Sequence, residues 1–166
     1  MEKRVVRKKG KLRVARQGSF IRKLAREVVN SIESYCKKIR VVGSIRRREK
    51  NPVDIDIVLI PKSRENIERI LMRKGKKLQG GKKKARFRIK GVNVELYYST
   101  PEEFGAELLA YSSKFGSGIG LRMIAKKKGF KLSQHGLFKN NKKIAGKTEE
   151  GIYKALGRKY KTPAKR

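Results

Sequence analysis

Asp54 and Asp56 are the only aspartates in the chain, and they stand two residues apart inside the apolar run VDIDIVLI. A β-strand sends alternate side chains to one face, so an Asp-x-Asp step sets two carboxylates side by side on one surface. Oxygen donors paired in that way suit a hard divalent cation such as Mg2+, above all when an adjacent strand adds a third. Glu95, in the alternating segment VNVELYY, is the candidate for that third ligand. Two ions so held would serve an in-line displacement, one activating the attacking oxygen and the other neutralising a leaving pyrophosphate. A plainer reading is open for any lone Asp-x-Asp: the two aspartates pair with surplus lysines.

The residues ahead of the pair shift that balance. Gly43-Ser44 follows a short apolar run and precedes Arg46, Arg47 and Arg48, and Asp54 comes eleven residues after the glycine. Backbone N–H groups and a hydroxyl at such a turn approach a phosphate oxygen closely, and guanidinium groups add charge-assisted donors. A phosphate cradle followed by a carboxylate pair is the order that phosphoryl transfer needs.

These residues need a sheet to hold them. Residues 40–43 read as a short strand, 53–60 as a central one ended by Pro61, and 86–90 and 92–98 as two strands joined at Gly91. Ile21, Leu24, Val28, Val29, Ile32 and Tyr35 recur at three- and four-residue intervals, which predicts an amphipathic helix over 19–37 packed on that sheet. A further helix is expected over 64–73. Residues 74–84 hold six lysines, three glycines and no acid, and read as a solvated hairpin or connector. Thr100-Pro101-Glu102-Glu103 has the marks of a helix start: a Thr cap, Pro at the first helical position and a Glu that closes a capping box. A lobe boundary is placed there, giving 1–99 and 100–166. Helices to about 111 and over 117–128, short strands near Lys131 and Leu137, and a helix over 148–156 complete the second lobe. Residues 1–16 are mostly basic and allow either a marginal hairpin turning at Gly10 or a loose arm. The predicted class is α+β, a mixed sheet followed by a small α/β lobe.

Composition says what such a site would act on. The chain has 47 Lys plus Arg against 14 Asp plus Glu in 166 residues, a formal net charge of +33, yet 37% hydrophobic residues suffice for a core. That charge favours a polyanion, with nucleic acid the leading partner. No apolar run is long enough to span a bilayer, and the amino terminus lacks the apolar core of a secretory signal, so no membrane partner and an intracellular protein are expected. Cys36 is alone, which excludes an internal disulfide and a cysteine zinc site. Eight lysines between Lys126 and Lys147, with no acid among them, make the second lobe a DNA-binding candidate through Lys126, Lys127, Lys131 and Lys139. His135, a lone histidine in a basic turn, suits a surface or nucleic-acid contact better than catalysis. Among the aromatic residues, Tyr111 and Phe115 border a Gly/Ser-rich turn and are set apart from the core.

On these residues the chain resembles the nucleotidyltransferases of DNA polymerase family X. Gly43, Ser44, Arg46 and Arg47, the Asp54-Ile55-Asp56 step and a third acid within 93–98 carry the likeness, and LLAYSSKFGSGIGLRMIAKKKGFKLSQHGLFKN is similar to the family's nucleotide-selecting lobe. The resemblance implies a nucleotidyltransferase palm in which Asp54 and Asp56 bind two Mg2+ ions, with Mn2+ able to substitute, and Glu95 binds the catalytic ion and helps activate the primer 3′-hydroxyl. It implies that Gly43, Ser44 and Arg47 hold the incoming triphosphate, that Tyr111 and Ser112 stand beside its sugar, and that Arg122 touches the template strand. The family usually has Asp where Glu95 stands, Gly where Ser113 stands, a base-contacting side chain where Gly118 stands and a basic residue where Asn93 stands. No amino-terminal lyase domain is expected.

The implied activity is addition of dNTPs to a DNA primer across short repair gaps, by a monomer on gapped or primed DNA. Two rivals use the same residues. One is template-independent transfer, or transfer to RNA or protein, which the same acids would serve. The other is a non-catalytic polyanion-binding protein, for which Glu95 would mark a decayed triad.

Overall fold

The computed structural model describes residues 4–8, 11–15 and 18–166, the first two segments through their backbone alone. Strands β1 (Arg4–Lys8) and β2 (Lys11–Ala15) pair antiparallel, which takes the hairpin alternative; the turn at Gly10 lies outside the described residues.

Helix α1 (Gly18–Ile32) buries Ile21, Leu24, Ala25, Val28 and Ile32, the spacing expected of an amphipathic helix. It stops five residues short of the predicted end. The Tyr35 carbonyl accepts from the N–H groups of Lys62 and Ser63 at 2.8 and 3.3 Å. That draws the chain through a 3-10 turn, Glu33–Tyr35, into strand β3 (Cys36–Val41). A short helix α2 (Gly43–Arg46), strand β4 (Ile55–Pro61), helix α3 (Arg64–Lys74), and strands β5 (Gly75–Gly80), β6 (Lys84–Ile89) and β7 (Val92–Tyr98) follow.

The five strands order β3-β4-β7-β6-β5, with β4 and β7 parallel and every other pair antiparallel, so the sheet is mixed as predicted. One face carries Ile55, Ile57, Leu59, Phe87, Ile89, Val94 and Leu96 and is sealed by α1 and α3 into a single apolar core. On the other face Val58 and Ile60 pack with Val42, Phe104 and Leu108. Strand β5 pairs antiparallel with β6, which takes the hairpin alternative for residues 74–84. Its glycines and lysines are poor strand formers, but it lies at the sheet edge, where lysine is tolerated and blocks pairing with another chain.

The carboxy-terminal third runs α4 (Phe104–Ser112), α5 (Phe115–Lys127), strands β8 (Lys131–Ser133), β9 (Gly136–Lys139) and β10 (Lys142–Ala145), and α6 (Glu149–Ala155). Ala106, Leu109, Leu121, Ala125, Leu137, Ile152 and Leu156 form its core. The predicted capping box is not made: Glu103 and Phe104 donate their N–H groups to the Thr100 carbonyl at 3.2 and 3.0 Å, and the helix begins only at Phe104. A true side-chain cap starts α6, where Thr148 Oγ1 accepts from Gly151 N–H at 3.0 Å. Among the described residues no helix is long and apolar enough to cross a membrane.

Candidate active site

The parallel pairing of β4 with β7 sets Asp56 directly beside Glu95. Both lie on the face opposite the α1–α3 core, because their neighbours Ile55, Ile57, Val94 and Leu96 are fully buried on the other side. The Tyr97 hydroxyl joins the two acids, 2.8 Å from Glu95 Oε2 and 3.4 Å from Asp56 Oδ1. Burial, with the charges of Asp56 and Glu95, pushes the Tyr97 hydroxyl far above the ordinary phenol range, so it stays protonated, with Glu95 the nearer acceptor for its single proton. Asp54 falls outside the strand, on the bend just before β4 begins. The two aspartates are therefore not the same-strand pair that their spacing suggested.

Gly43 packs against this face. Val42 N–H donates to the Asp56 carbonyl at 2.8 Å, and the chain then turns through Gly43 with φ +64°, a conformation natural to glycine. A Cβ at Gly43 would overlap Asp56 Oδ2. Ser44 follows, its hydroxyl oxygen buried with no hydrogen-bond partner among the described residues.

The three arginines separate. Arg46 turns inward, donating through Nη1 to Ser112 Oγ at 2.9 Å and gripping Glu149 at 3.0 and 2.6 Å. Arg166 completes that cluster from the far end of the chain, 2.7 Å from Glu149 Oε1. Burial alone would raise the Glu149 pKa, but hydrogen bonds from Arg46 and Arg166 outweigh it and hold the pKa below the usual range. Arg47 pairs at 2.8 Å with Glu49, which is 39% exposed, so the pair opens to solvent. Arg48 is exposed and has φ +60°.

Tyr111 reaches the acids from α4, its ring stacked on Tyr97 with centroids 3.9 Å apart. Ser112 is fully buried and committed to Arg46, so the structure brings Tyr111 to the site but turns Ser112 away from it. Arg122, Lys126, Lys127, Lys131 and Lys139 are all exposed on α5, β8 and β9. Phe115 is 87% exposed at the start of α5, while the His135 ring pairs with Glu103 at 3.1 Å.

Glu95 is held by two cations as well as by the Tyr97 hydroxyl. Arg86 contacts its Oε1 at 2.7 Å through Nε and at 2.5 Å through Nη2, while Lys84 pairs with Oε2. Burial would raise the Glu95 pKa, but the Lys84 and Tyr97 hydrogen bonds hold it below the ordinary range, and it is ionised at neutral pH. Among the described residues no three His, Cys, Asp or Glu side chains converge closely enough to form a metal cage as they stand. The donors themselves fit a hard cation: two in-register carboxylates on one face, with a third at its edge. Sequence reasoning missed Tyr97, Lys84, Arg86 and Glu149. Strand alternation could have found Tyr97, two residues from Glu95; the others depend on register and tertiary packing.

A family model described as DNA polymerase beta thumb matches residues 118–166. The Repair DNA polymerase X of African swine fever virus is 32% identical over 147 residues, covering 81% of this chain and 84% of the viral one. DNA polymerase IV of Saccharomyces cerevisiae is 38% identical over 65 residues, 39% of this chain and 11% of the yeast one. Likeness of that extent to the viral enzyme, together with the thumb match, makes the chain a member of DNA polymerase family X.

Proposed function

We propose that the chain is a minimal DNA repair polymerase that adds dNTPs to a primer 3′-hydroxyl on gapped or primed DNA, acting as a monomer. In this reading residues 1–99 form a nucleotidyltransferase palm, and residues 100–166 form the lobe that selects the nucleotide and grips DNA. Family membership supports the reaction. The observation that carries the site assignment is the register of Asp56 beside Glu95, with Gly43 pressed against Asp56.

Asp54, Asp56 and Glu95 are the residues that would hold two Mg2+ ions, or Mn2+ in their place. Such ions supply activation of the attacking hydroxyl and neutralisation of the triphosphate charge. The rest falls to the chain. Gly43, having no side chain, lets the Asp56 carboxylate sit against the backbone, and the Ser44 hydroxyl beside it, which has no hydrogen-bond partner among the described residues, offers a phosphate a hydrogen bond. Arg47 exchanges its solvent-exposed Glu49 partner for the triphosphate. Tyr111, fixed by its stack on Tyr97, stands beside the sugar. Ser112 supports that side indirectly by accepting from Arg46. Arg122, Lys126, Lys127, Lys131 and Lys139 bind DNA by charge, so their affinity is poorly sequence-specific and falls steeply with salt.

The test is single-nucleotide incorporation into a one-nucleotide gap by the wild-type protein and by Glu95→Gln, at several Mg2+ concentrations. Loss of one metal-binding carboxylate is expected to lower the rate by about a thousandfold. A variant as fast as wild type would remove Glu95 from the site.

A further inference from the structure

We infer that Arg86 and Lys84 are built-in competitors for the divalent cation at Glu95, holding its carboxylate when no metal is bound and setting how much metal the site needs. The inference rests on the reading above, in which Glu95 is a metal ligand.

The sheet gives these two cations no other place to go. Ala85, Phe87 and Ile89 of β6 are buried under α1 and α3, so Lys84, Arg86 and Arg88 all emerge on the opposite face. The antiparallel register with β7 then sets Lys84 beside Tyr97, Arg86 beside Glu95 and Arg88 beside Asn93. The Glu95 carboxylate receives two contacts on Oε1 from Arg86, at 2.7 and 2.5 Å. On Oε2 it receives the Tyr97 hydroxyl at 2.8 Å and the Lys84 ammonium.

A carboxylate has about four acceptor positions, and four donor contacts meet Glu95. A metal ion needs at least one of these oxygens, so to bind it must displace Arg86 from Oε1, or Lys84 or the Tyr97 hydroxyl from Oε2. The exposures make the exchange possible: Glu95 is 15% exposed, whereas Arg86 and Lys84 are each 37% exposed and can swing outward without unfolding anything. Arg88 provides the internal comparison. It sits on the same strand and face, but donates to Asn93 Oδ1 at 3.3 Å instead of touching Glu95.

The experiment is Mn2+ binding to the full chain without DNA, followed by calorimetry and by loss of the free-Mn2+ EPR signal. It compares wild type with Arg86→Gln, Lys84→Gln, Arg86→Lys and Arg88→Gln, and thermal melts confirm that each variant is folded. The expected result is a Kd for Mn2+ lower by roughly fivefold in Arg86→Gln and in Lys84→Gln. Arg88→Gln removes the same charge from the same face and should change the Kd by less than about twofold. Arg86→Lys keeps the cation and should stay near wild type. In an Glu95→Gln background, Arg86→Gln should have no further effect.

The inference is overturned if Arg86→Gln and Lys84→Gln change Mn2+ affinity no more than Arg88→Gln does, if they weaken it, or if neither wild type nor any variant binds Mn2+. Failure of templated incorporation would count against the polymerase reading instead, because this comparison reads metal occupancy without primer or nucleotide.

Discussion

Gly43 leaves no space between its Cα and the Asp56 carboxylate: a Cβ there would run into Oδ2 and stand 3.2 Å from Cγ. Two requirements meet at one residue, since Gly43 also turns with φ +64°. Gly43→Ala should cost about 1 to 2 kcal/mol of stability from the backbone alone. Its effect on incorporation should be far larger, about a hundredfold or more, because the Asp56 carboxylate must move off its position beside Gly43 to admit the methyl group. Urea unfolding and gap filling, measured on the same preparation, separate the two. A variant destabilised to that degree but fully active would show that Asp56 has freedom that the geometry denies it.

Arg46 and Glu149 lie 103 positions apart in sequence and form a two-pronged ion pair, closed from behind by Arg166. Glu149 is 4% exposed and the Arg166 side chain 1%, so removing the carboxylate leaves buried positive charge without compensation. Glu149→Ala should therefore destabilise the fold by about 3 kcal/mol, with weak dependence on salt. The pH dependence follows from the lowered Glu149 pKa. Its stabilisation is fully present above the unfolded carboxylate value of about 4.3 and is lost as pH falls through the lower folded value. Chemical denaturation from pH 3 to 7 would show the wild-type protein losing that advantage over Glu149→Ala in acid.

The candidate residues stand out in the sequence because their signal is local. Gly43-Ser44, the arginine run and Asp54-Ile55-Asp56 lie within fourteen consecutive residues, and the alternation around Glu95 marked its strand. What failed depended on distant partners. Asp54 looked like a strand residue, but the strand begins at Ile55. Residues 74–84 left hairpin and connector open because glycine and lysine hide an edge strand, whose one strand partner among the described residues is β6. Thr100 looked like a side-chain cap, yet its carbonyl does that work. The guards on Glu95 and the anchor for Arg46 depend on strand register and on the packing of α6, and no short window of sequence reports either.

Glu107 is a buried acid that the proposed chemistry does not use. It is 4% exposed on α4, its Oε2 has no hydrogen-bond partner among the described residues, and burial pushes its pKa up to about 7. The Ser99 hydroxyl lowers the pKa in part, the Glu103 charge raises it, and Lys83 lowers it. Here the sign is opposite to that of Glu149. The folded state holds the proton more tightly than the unfolded chain, so stability falls as pH rises from about 4.3 toward the raised value. Glu107→Gln should be more stable than wild type by about 3 kcal/mol at pH 8 and nearly equal to it at pH 4. Melts at the two pH values decide this; equal stabilities at pH 8 would mean that the carboxylate finds a partner when ionised.

The assignment of Asp56 and its in-register partner Glu95 as the metal-dependent centre of a templated polymerase stands or falls on nucleotide incorporation. Its most direct test is incorporation of each dNTP opposite each template base in a one-nucleotide gap with Mg2+, by the wild-type protein and by Asp56→Asn. The expected result is template-matched incorporation by wild type, reduced by about a thousandfold or more in the variant, with DNA binding retained. Untemplated addition that still requires Asp56 would keep the transferase site and overturn the repair function. No incorporation by a wild-type protein that binds DNA normally would contradict the claim outright and leave a polyanion-binding protein.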